Sequence, residues 1–267
     1  MLRFFLILIF SLSNYFASCS LLFAQEIKDS VTELENVQIQ EKLGQSIDLN
    51  LAFVDQDGQK VLLKDVFSKD KPTILSLVYY ECPMLCTLVL NGITEVLGKL
   101  KFKPGKDFDL VSVSIDADET PDLAKTKQTL YLQEAEIKNA QAWPFLVGSE
   151  TNIKALADSV GFNFEYDKSI DEFAHPAVFF IISPSGKVSR YFYGVQHKPA
   201  NLQLALTEAS EGKVGSAFDK FLLYCYRYDP DSKGYVLMAW RVMRISALIS
   251  VIAIALLLLG LKRREKI

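Results

Sequence analysis

The sequence lacks an excess of charge of either sign. Its 267 residues carry 29 Lys and Arg against 32 Asp and Glu, a formal net charge of −3. No stretch is basic enough to grip a phosphate backbone, so nucleic acid is excluded as a partner. There is no internal repeat and no low-complexity tract. Cysteine is scarce, with four residues, Cys19, Cys82, Cys86 and Cys225. Histidine is scarcer, with His175 and His197 alone. Half of the residues are hydrophobic, enough for one substantial core plus targeting segments.

The two ends of the chain read as such segments. Met1-Leu2-Arg3 precedes an apolar run at 4–16 that is short for a bilayer span. That pattern reads as a secretory signal over residues 1–24, cleaved after Ala24, although Leu22 is larger than a cleavage site prefers. Cys19, in Phe16-Ala17-Ser18-Cys19, offers a second reading, with a lipid on that cysteine. A second apolar run, 245–261, is long enough to span and is followed by Lys262-Arg263-Arg264 and Lys266. A transmembrane helix is expected at 242–261, with residues 262–267 as a cytoplasmic tail by the positive-inside rule. Arg241 and Arg244 can snorkel to headgroups, with Trp240 and Tyr235 at the interface. The folded part is therefore expected on a C-terminal membrane anchor, facing the periplasm or the outer side of the inner membrane. Disulfides are permitted there. Once the signal is removed, Cys82, Cys86 and Cys225 remain, and an odd count leaves at least one thiol outside any single pair.

Between these ends, residues 25–40 are polar and acidic and read as a linker. Residues 43–67 hold two short extended runs around Asp57-Gly58, a hairpin signal. Thr73-Ile74-Leu75-Ser76-Leu77-Val78 is an apolar, partly β-branched run, which predicts a buried strand. A helix follows to about residue 100. Residues 108–115 alternate with period two and predict a strand, and Glu119-Thr120-Pro121 opens a helix to about 138. A short strand is expected at 143–147 and a helix at 150–160, stopped by Gly161. Residues 162–174 read as irregular and acidic. A strand at 177–182 turns through Ser183-Pro184-Ser185-Gly186 into another at 188–193. Helices are expected at 201–211 and 216–228. Alternating strands and helices predict an α/β sheet. A dithiol opening the first long helix, with a terminal hairpin, narrows this to a thioredoxin-like fold over 41–212, leaving 213–241 as a membrane-proximal segment.

The chemistry gathers at Tyr79-Tyr80-Glu81-Cys82-Pro83-Met84-Leu85-Cys86. A proline at the first helical position has its φ already set and needs no N–H, which makes Cys82 the N-cap. Its sulfur then faces unpaired amides and the positive end of the helix dipole, which favour the thiolate. Cys86 lies four residues on, on the same face. Two such sulfurs can form a disulfide or clamp one soft metal ion. The spacing is Cys-x-x-x-Cys, wider than the usual exchange motif. His175 immediately precedes an apolar strand whose leading loop, in a thioredoxin-like fold, closes over the start of the first helix. Ser114-Ile115-Asp116 with Glu119-Thr120 places acidic residues at the end of a parallel strand, where sites collect in open α/β sheets.

These three blocks, in this order, resemble the Sco/SenC family of membrane-anchored, copper-binding, thioredoxin-like proteins. The likeness runs over roughly residues 41–211 and includes Ser183-Pro184-Ser185-Gly186-Lys187. It implies that the family's metal ligands carry over to Cys82, Cys86 and His175. It implies copper, Cu(I) or Cu(II), as the metal. The implied partner is the copper-site subunit of cytochrome c oxidase, or another copper carrier. Many family members are anchored at the N-terminus, whereas the anchor read here is C-terminal. The chemistry agrees independently, because Cu(I) is soft and prefers thiolates at low coordination number. A structural zinc site wants a fourth ligand, and none is evident. The alternative is an enzyme, a thiol–disulfide oxidoreductase using Cys82 and Cys86 as a catalytic redox pair to keep partner cysteines reduced. A peroxidase is disfavoured, since no Pro-x-x-x-Thr-x-x-Cys motif is present.

Other candidates have plainer readings. A disulfide between Cys82 and Cys86 closes almost no loop, so as a staple it would add little. His197 lies in a polar turn before a helix and reads as a loop residue. Met84 reads as gap-filling rather than as a ligand. Asp116 either supports the site or caps a strand end. Cys225 sits among alternating tyrosines, Tyr224, Tyr226 and Tyr228, which read as a membrane-proximal aromatic patch.

Overall fold

The computed structural model describes residues 37–82, 85–168, 171–210, 226–229, 234–237, 248–250 and 252, with only the backbone at Leu85, Cys86, 226–229 and 234–237. The chain divides into two compact units, one of Glu41–Val160 with Ala177–Ile267, the other of Met1–Gln40 with Gly161–Pro176.

In chain order the strands are β1 (Ala52–Asp55), β2 (Lys60–Leu62), β3 (Thr73–Val78), β4 (Asp109–Ser114), β5 (Phe145–Val147), β6 (Glu165–Asp167), β7 (Glu172–Ala174), β8 (Val178–Ile182), β9 (Val188–Tyr193), β10 (Tyr226–Asp229) and β11 (Gly234–Leu237). The α-helices are α1 (Leu63–Val66), α2 (Leu85–Gly98), α3 (Pro121–Glu134), α4 (Glu150–Val160) and α5 (Pro199–Ala209).

The larger unit is built on a seven-stranded sheet of order β2-β1-β5-β4-β3-β8-β9. All six side chains of β3 are buried, as its near-continuous apolar run predicts. It runs parallel to β4, from Thr73↔Asp109 to Val78↔Ser114, and antiparallel to β8, from Thr73↔Ile182 to Ser76↔Phe179. Two consequences place the site. β3 and β4 end at the same edge, so Ser114 stands beside Val78. β8 runs the other way, so it begins at the edge where β3 ends.

The core below that edge is aromatic and partly polar. Tyr80, Tyr131, Trp143 and Phe145 form one ring cluster, with centroids 5.5–6.2 Å apart. Each such pair adds about 0.5–1.5 kcal/mol beyond its buried area. Inside it, the Ser76 and Ser112 hydroxyls meet at 2.8 Å and Trp143 Nε1–H donates to Ser112 Oγ at 2.9 Å. The Tyr80 hydroxyl donates to the Leu146 carbonyl at 2.8 Å, with the Ser112 carbonyl at 3.2 Å. Buried hydroxyls and an indole N–H are tolerable here because each finds a partner.

Several sequence readings are corrected. The α3 helix ends at Glu134 rather than near 138, and Glu136 takes a left-handed φ of 54°. Its start is as read, with Pro121 in the first turn and Thr120 Oγ1 accepting from Leu123 N at 3.4 Å. The last long helix begins at Pro199, not Asn201, since proline suits a first helical position. The acidic stretch at 162–174 is not irregular. In the smaller unit β6 and β7 pair antiparallel, with Tyr166 opposite Phe173 and their rings 5.1 Å apart. That cross-strand aromatic pair outweighs the charge of the segment. The helix read at 216–228 fails at its end, because Tyr226–Asp229 pairs antiparallel with Gly234–Leu237. Tyrosines at every second position suit a strand, and Asp229-Pro230-Asp231-Ser232-Lys233-Gly234 has turn composition.

Among the described residues, no helix is long and apolar enough to cross a membrane. The run at 245–261 lies mostly outside them; Leu248, Ile249 and Ile252 are helical and exposed. The readings at residues 1–36, Cys19, Met84 and Cys225 also lie outside the described residues.

Candidate metal centre

The chain leaves β3 at its C-terminal end and enters Tyr79-Tyr80-Glu81-Cys82. Tyr79, Tyr80 and Cys82 are buried, while Glu81 faces solvent. Cys82 N–H donates to the Tyr79 carbonyl at 3.4 Å, closing a turn. Thr87 Oγ1 donates to the Cys82 carbonyl at 3.3 Å, tying that residue to the first turn of α2. Cys86 is the second residue of α2, and its side chain lies outside the described residues. The N-cap reading of Cys82 runs through Pro83 and Met84, which lie outside them too.

Beside this turn stands Glu119, 9% exposed. Its Oε1 accepts the Glu81 N–H at 2.7 Å, and its Oε2 accepts the Ser114 hydroxyl at 2.5 Å. Burial is the largest influence and pushes the carboxyl up to about 7, Asp116 adding in the same direction; the bonds from the Ser114 hydroxyl and the Glu81 amide oppose it. Asp116 caps its own loop: its Oδ1 accepts from Asp118 N at 2.9 Å, and its amide donates to Ser114 Oγ at 3.0 Å. Sequence reading grouped Glu119 with Thr120 as part of a motif and missed its grip on the cysteine turn. The available signal was an acid a few residues past the end of a buried parallel strand.

His175 belongs to the smaller unit, directly after β7, and is buried. Its ring packs 6.0 Å from Phe162. Nδ1 lies 3.1 Å from the Pro176 carbonyl, which can only accept. In the neutral ring Nδ1 therefore carries the proton, and Nε2 keeps the lone pair a metal would use.

His197 lies in the loop before α5, as read, but against aromatic rings rather than in polar surroundings. Its ring sits edge-on to Phe179 at 4.7 Å and Phe192 at 5.9 Å. Burial lowers it to about 4, against the opposing bond to the Gly194 backbone, and Nε2 has no hydrogen-bond partner among the described residues. Among those residues no cluster of three or more His, Cys, Asp or Glu could hold a metal; the Cys86 side chain is outside them.

Thiols are donors of the soft type, and the sequence spaces Cys82 and Cys86 four residues apart. Comparison with known proteins bears on the same span. The SCO1/SenC family model matches residues 40–209. A SCO1 protein homolog from Bacillus subtilis (strain 168) is 26% identical over 164 residues, 61% of this chain and 81% of that protein. The crystal structure of a protein from Aquifex aeolicus VF5, put forward there as an electron transfer protein, is 28% identical with a TM-score of 0.56, covering 63% of this chain and 94% of that one. The structure of BsSco, described as a member of the Sco family of cytochrome c oxidase assembly proteins with a disulfide switch, is 22% identical with a TM-score of 0.51, covering 65% and 98%. The fold is thus the mixed α/β, thioredoxin-like one of that family, and the chain belongs to the SCO1/SenC family.

Proposed function

We propose that this protein is a membrane-anchored, extracytoplasmic copper carrier serving assembly of cytochrome c oxidase. It takes one copper ion through Cys82, Cys86 and His175. The observation that carries the reading is the position of Cys82, in a buried turn at the C-terminal end of β3, within a chain that belongs to the SCO1/SenC family. Structures of family members from Arabidopsis thaliana, Bradyrhizobium japonicum and yeast have copper bound.

Copper is cargo here. Two thiolates from one turn give Cu(I) the soft, low-coordinate environment it prefers, and His175 Nε2 adds a borderline donor that also suits Cu(II). Cargo is released most readily if the imidazole, carried on a separate chain segment, lets go first. The acceptor is the copper-site subunit of the oxidase or a further copper carrier. The anchor is the helix at 242–261, a reading supported by Leu248, Ile249 and Ile252, helical and exposed. The rival reading is a thiol–disulfide oxidoreductase that uses the same dithiol and does not need His175.

Metal titration of the reduced and oxidised chain, with anaerobic Cu(I) competition, separates them. The reduced protein is expected to take one copper ion and the Cys82–Cys86 disulfide form to lose tight binding. Equal affinity in the two redox states would overturn the site and leave the oxidoreductase.

A further inference from the structure

We propose that Glu119 is a positioning residue for the Cys82 thiol, acting through the Glu81 backbone amide that directly precedes it. The inference rests on reading the dithiol as the working site, and goes beyond it by naming what holds that site in shape.

Two consecutive amides lead through the turn, and each has an acceptor. That of Glu81 goes to the Glu119 carboxylate, and that of Cys82 goes to the Tyr79 carbonyl. Tyr80 is also fixed at its far end, where its hydroxyl reaches the Leu146 and Ser112 carbonyls. The turn is therefore pinned from below by the core and from the side by one carboxylate. That carboxylate is itself held by the Ser114 hydroxyl at the end of β4.

The choice of side chain is informative. Among the described residues Glu119 has no ion-pair partner. Burying a carboxylate with no cation is costly, and a neutral amide could accept the same N–H at less cost. The two oxygens of Glu119 hold different donors, the Glu81 amide and the Ser114 hydroxyl, so one side chain ties the cysteine turn to the end of β4. The arrangement favours a tight grip on this turn over the stability of the fold. A dithiol that must present two sulfurs in one geometry, both to a metal and to each other, is where such a grip has a use.

The test compares Glu119→Ala, which removes the acceptor, with Glu119→Gln, which keeps an amide oxygen for Glu81 N–H. The first readout needs no copper: the alkylation rate of Cys82 in the full chain carrying Cys86→Ser, under native conditions. Releasing the turn exposes the buried thiol, so Glu119→Ala is expected to raise the rate tenfold or more, with Glu119→Gln within about threefold of the parent. The second readout is Cu(I) affinity with both cysteines present. There Glu119→Ala is expected to lose about 10–100-fold, as for other outer partners of metal ligands, with rescue by Gln. If Glu119→Ala does not fold, Ser114→Ala removes the donor behind the carboxylate and should shift both readouts the same way by a smaller factor. An unchanged alkylation rate in the folded variants overturns the proposal. Equal shifts in Ala and Gln overturn it as well, since charge alone would then account for them. A rate shift with Gln rescue in a chain that binds no copper upholds the positioning role while removing the copper reading.

Discussion

A Cβ atom built on Gly92 would lie 2.1 Å from the carbonyl oxygen of Val195. Helix α2 therefore meets the loop after β9 at a distance only glycine allows, and the obstacle is backbone. Glycine costs a helix interior up to about 1 kcal/mol relative to alanine, so an isolated helix would gain from Gly92→Ala. In this fold the clash wins. The substitution is expected to destabilise by about 1–3 kcal/mol, read as a lowered midpoint in denaturant or thermal unfolding. A variant as stable as the parent would mean that the loop moves away freely.

Tyr80→Phe tests the anchor beneath the cysteine turn. It removes one hydroxyl and leaves the Leu146 and Ser112 carbonyls short of a donor in the core. A loss of about 1–2 kcal/mol is expected. Because Tyr80 directly precedes the Glu81-Cys82 step, the alkylation rate of Cys82 should rise with it. Lost stability with an unchanged rate would separate the core from the turn.

Two buried groups titrate in opposite senses over one pH range. Glu119 has a folded value of about 7 against an ordinary 4.5. The folded chain then holds a proton that the unfolded chain gives up, so this group lowers stability as pH rises from 4.5 through 7. His197 has a folded value of about 4 against an ordinary 6.5. Here the unfolded chain holds the extra proton, so stability is lost as pH falls from 6.5 through 4. The displacements are comparable, so the parent should show little slope between pH 5 and 6.5. Glu119→Gln should uncover acid sensitivity, and His197→Gln should uncover a decline toward neutral pH. Unfolding midpoints across pH 4–8 for the three proteins check this; parallel curves would remove both assignments.

His175→Ala should separate the two oxidation states of the cargo. With both thiols intact a two-sulfur Cu(I) site survives, while Cu(II), stricter in geometry, loses its nitrogen donor. Cu(II) affinity is expected to fall at least tenfold more than Cu(I) affinity, in parallel competition titrations. Cys82→Ser or Cys86→Ser should damage both. Unchanged affinity for both ions in His175→Ala would place the imidazole outside the site.

The elements that hold the site were legible where one signal dominated. The apolar run at 73–78 gave β3, Thr120-Pro121 gave the start of α3, and Gly161, at φ +67°, gave the stop after α4. Misreadings arose where two signals competed. Charge in Glu165, Asp167, Asp171 and Glu172 hid a hairpin that Tyr166 and Phe173 hold together. At 226–228 a helical reading was carried over tyrosines whose period of two belongs to a strand. The grip of Glu119 on the cysteine turn was not legible at all. It joins Glu81, Ser114 and Glu119 only because β3 and β4 are parallel and end together, a tertiary fact with no local trace.

The pairing of β3 with β8 has a consequence in time. The dithiol follows directly after β3, yet β3 cannot complete its antiparallel side until Val178–Ile182 is available. That neighbour is made on the order of a hundred residues later, roughly 5–20 s at ordinary synthesis rates. For that interval Cys82 and Cys86 belong to an unfinished sheet and are open to whatever oxidant or thiol they meet. The redox state in which the newborn protein first closes is thus set by its surroundings before the fold can shield it.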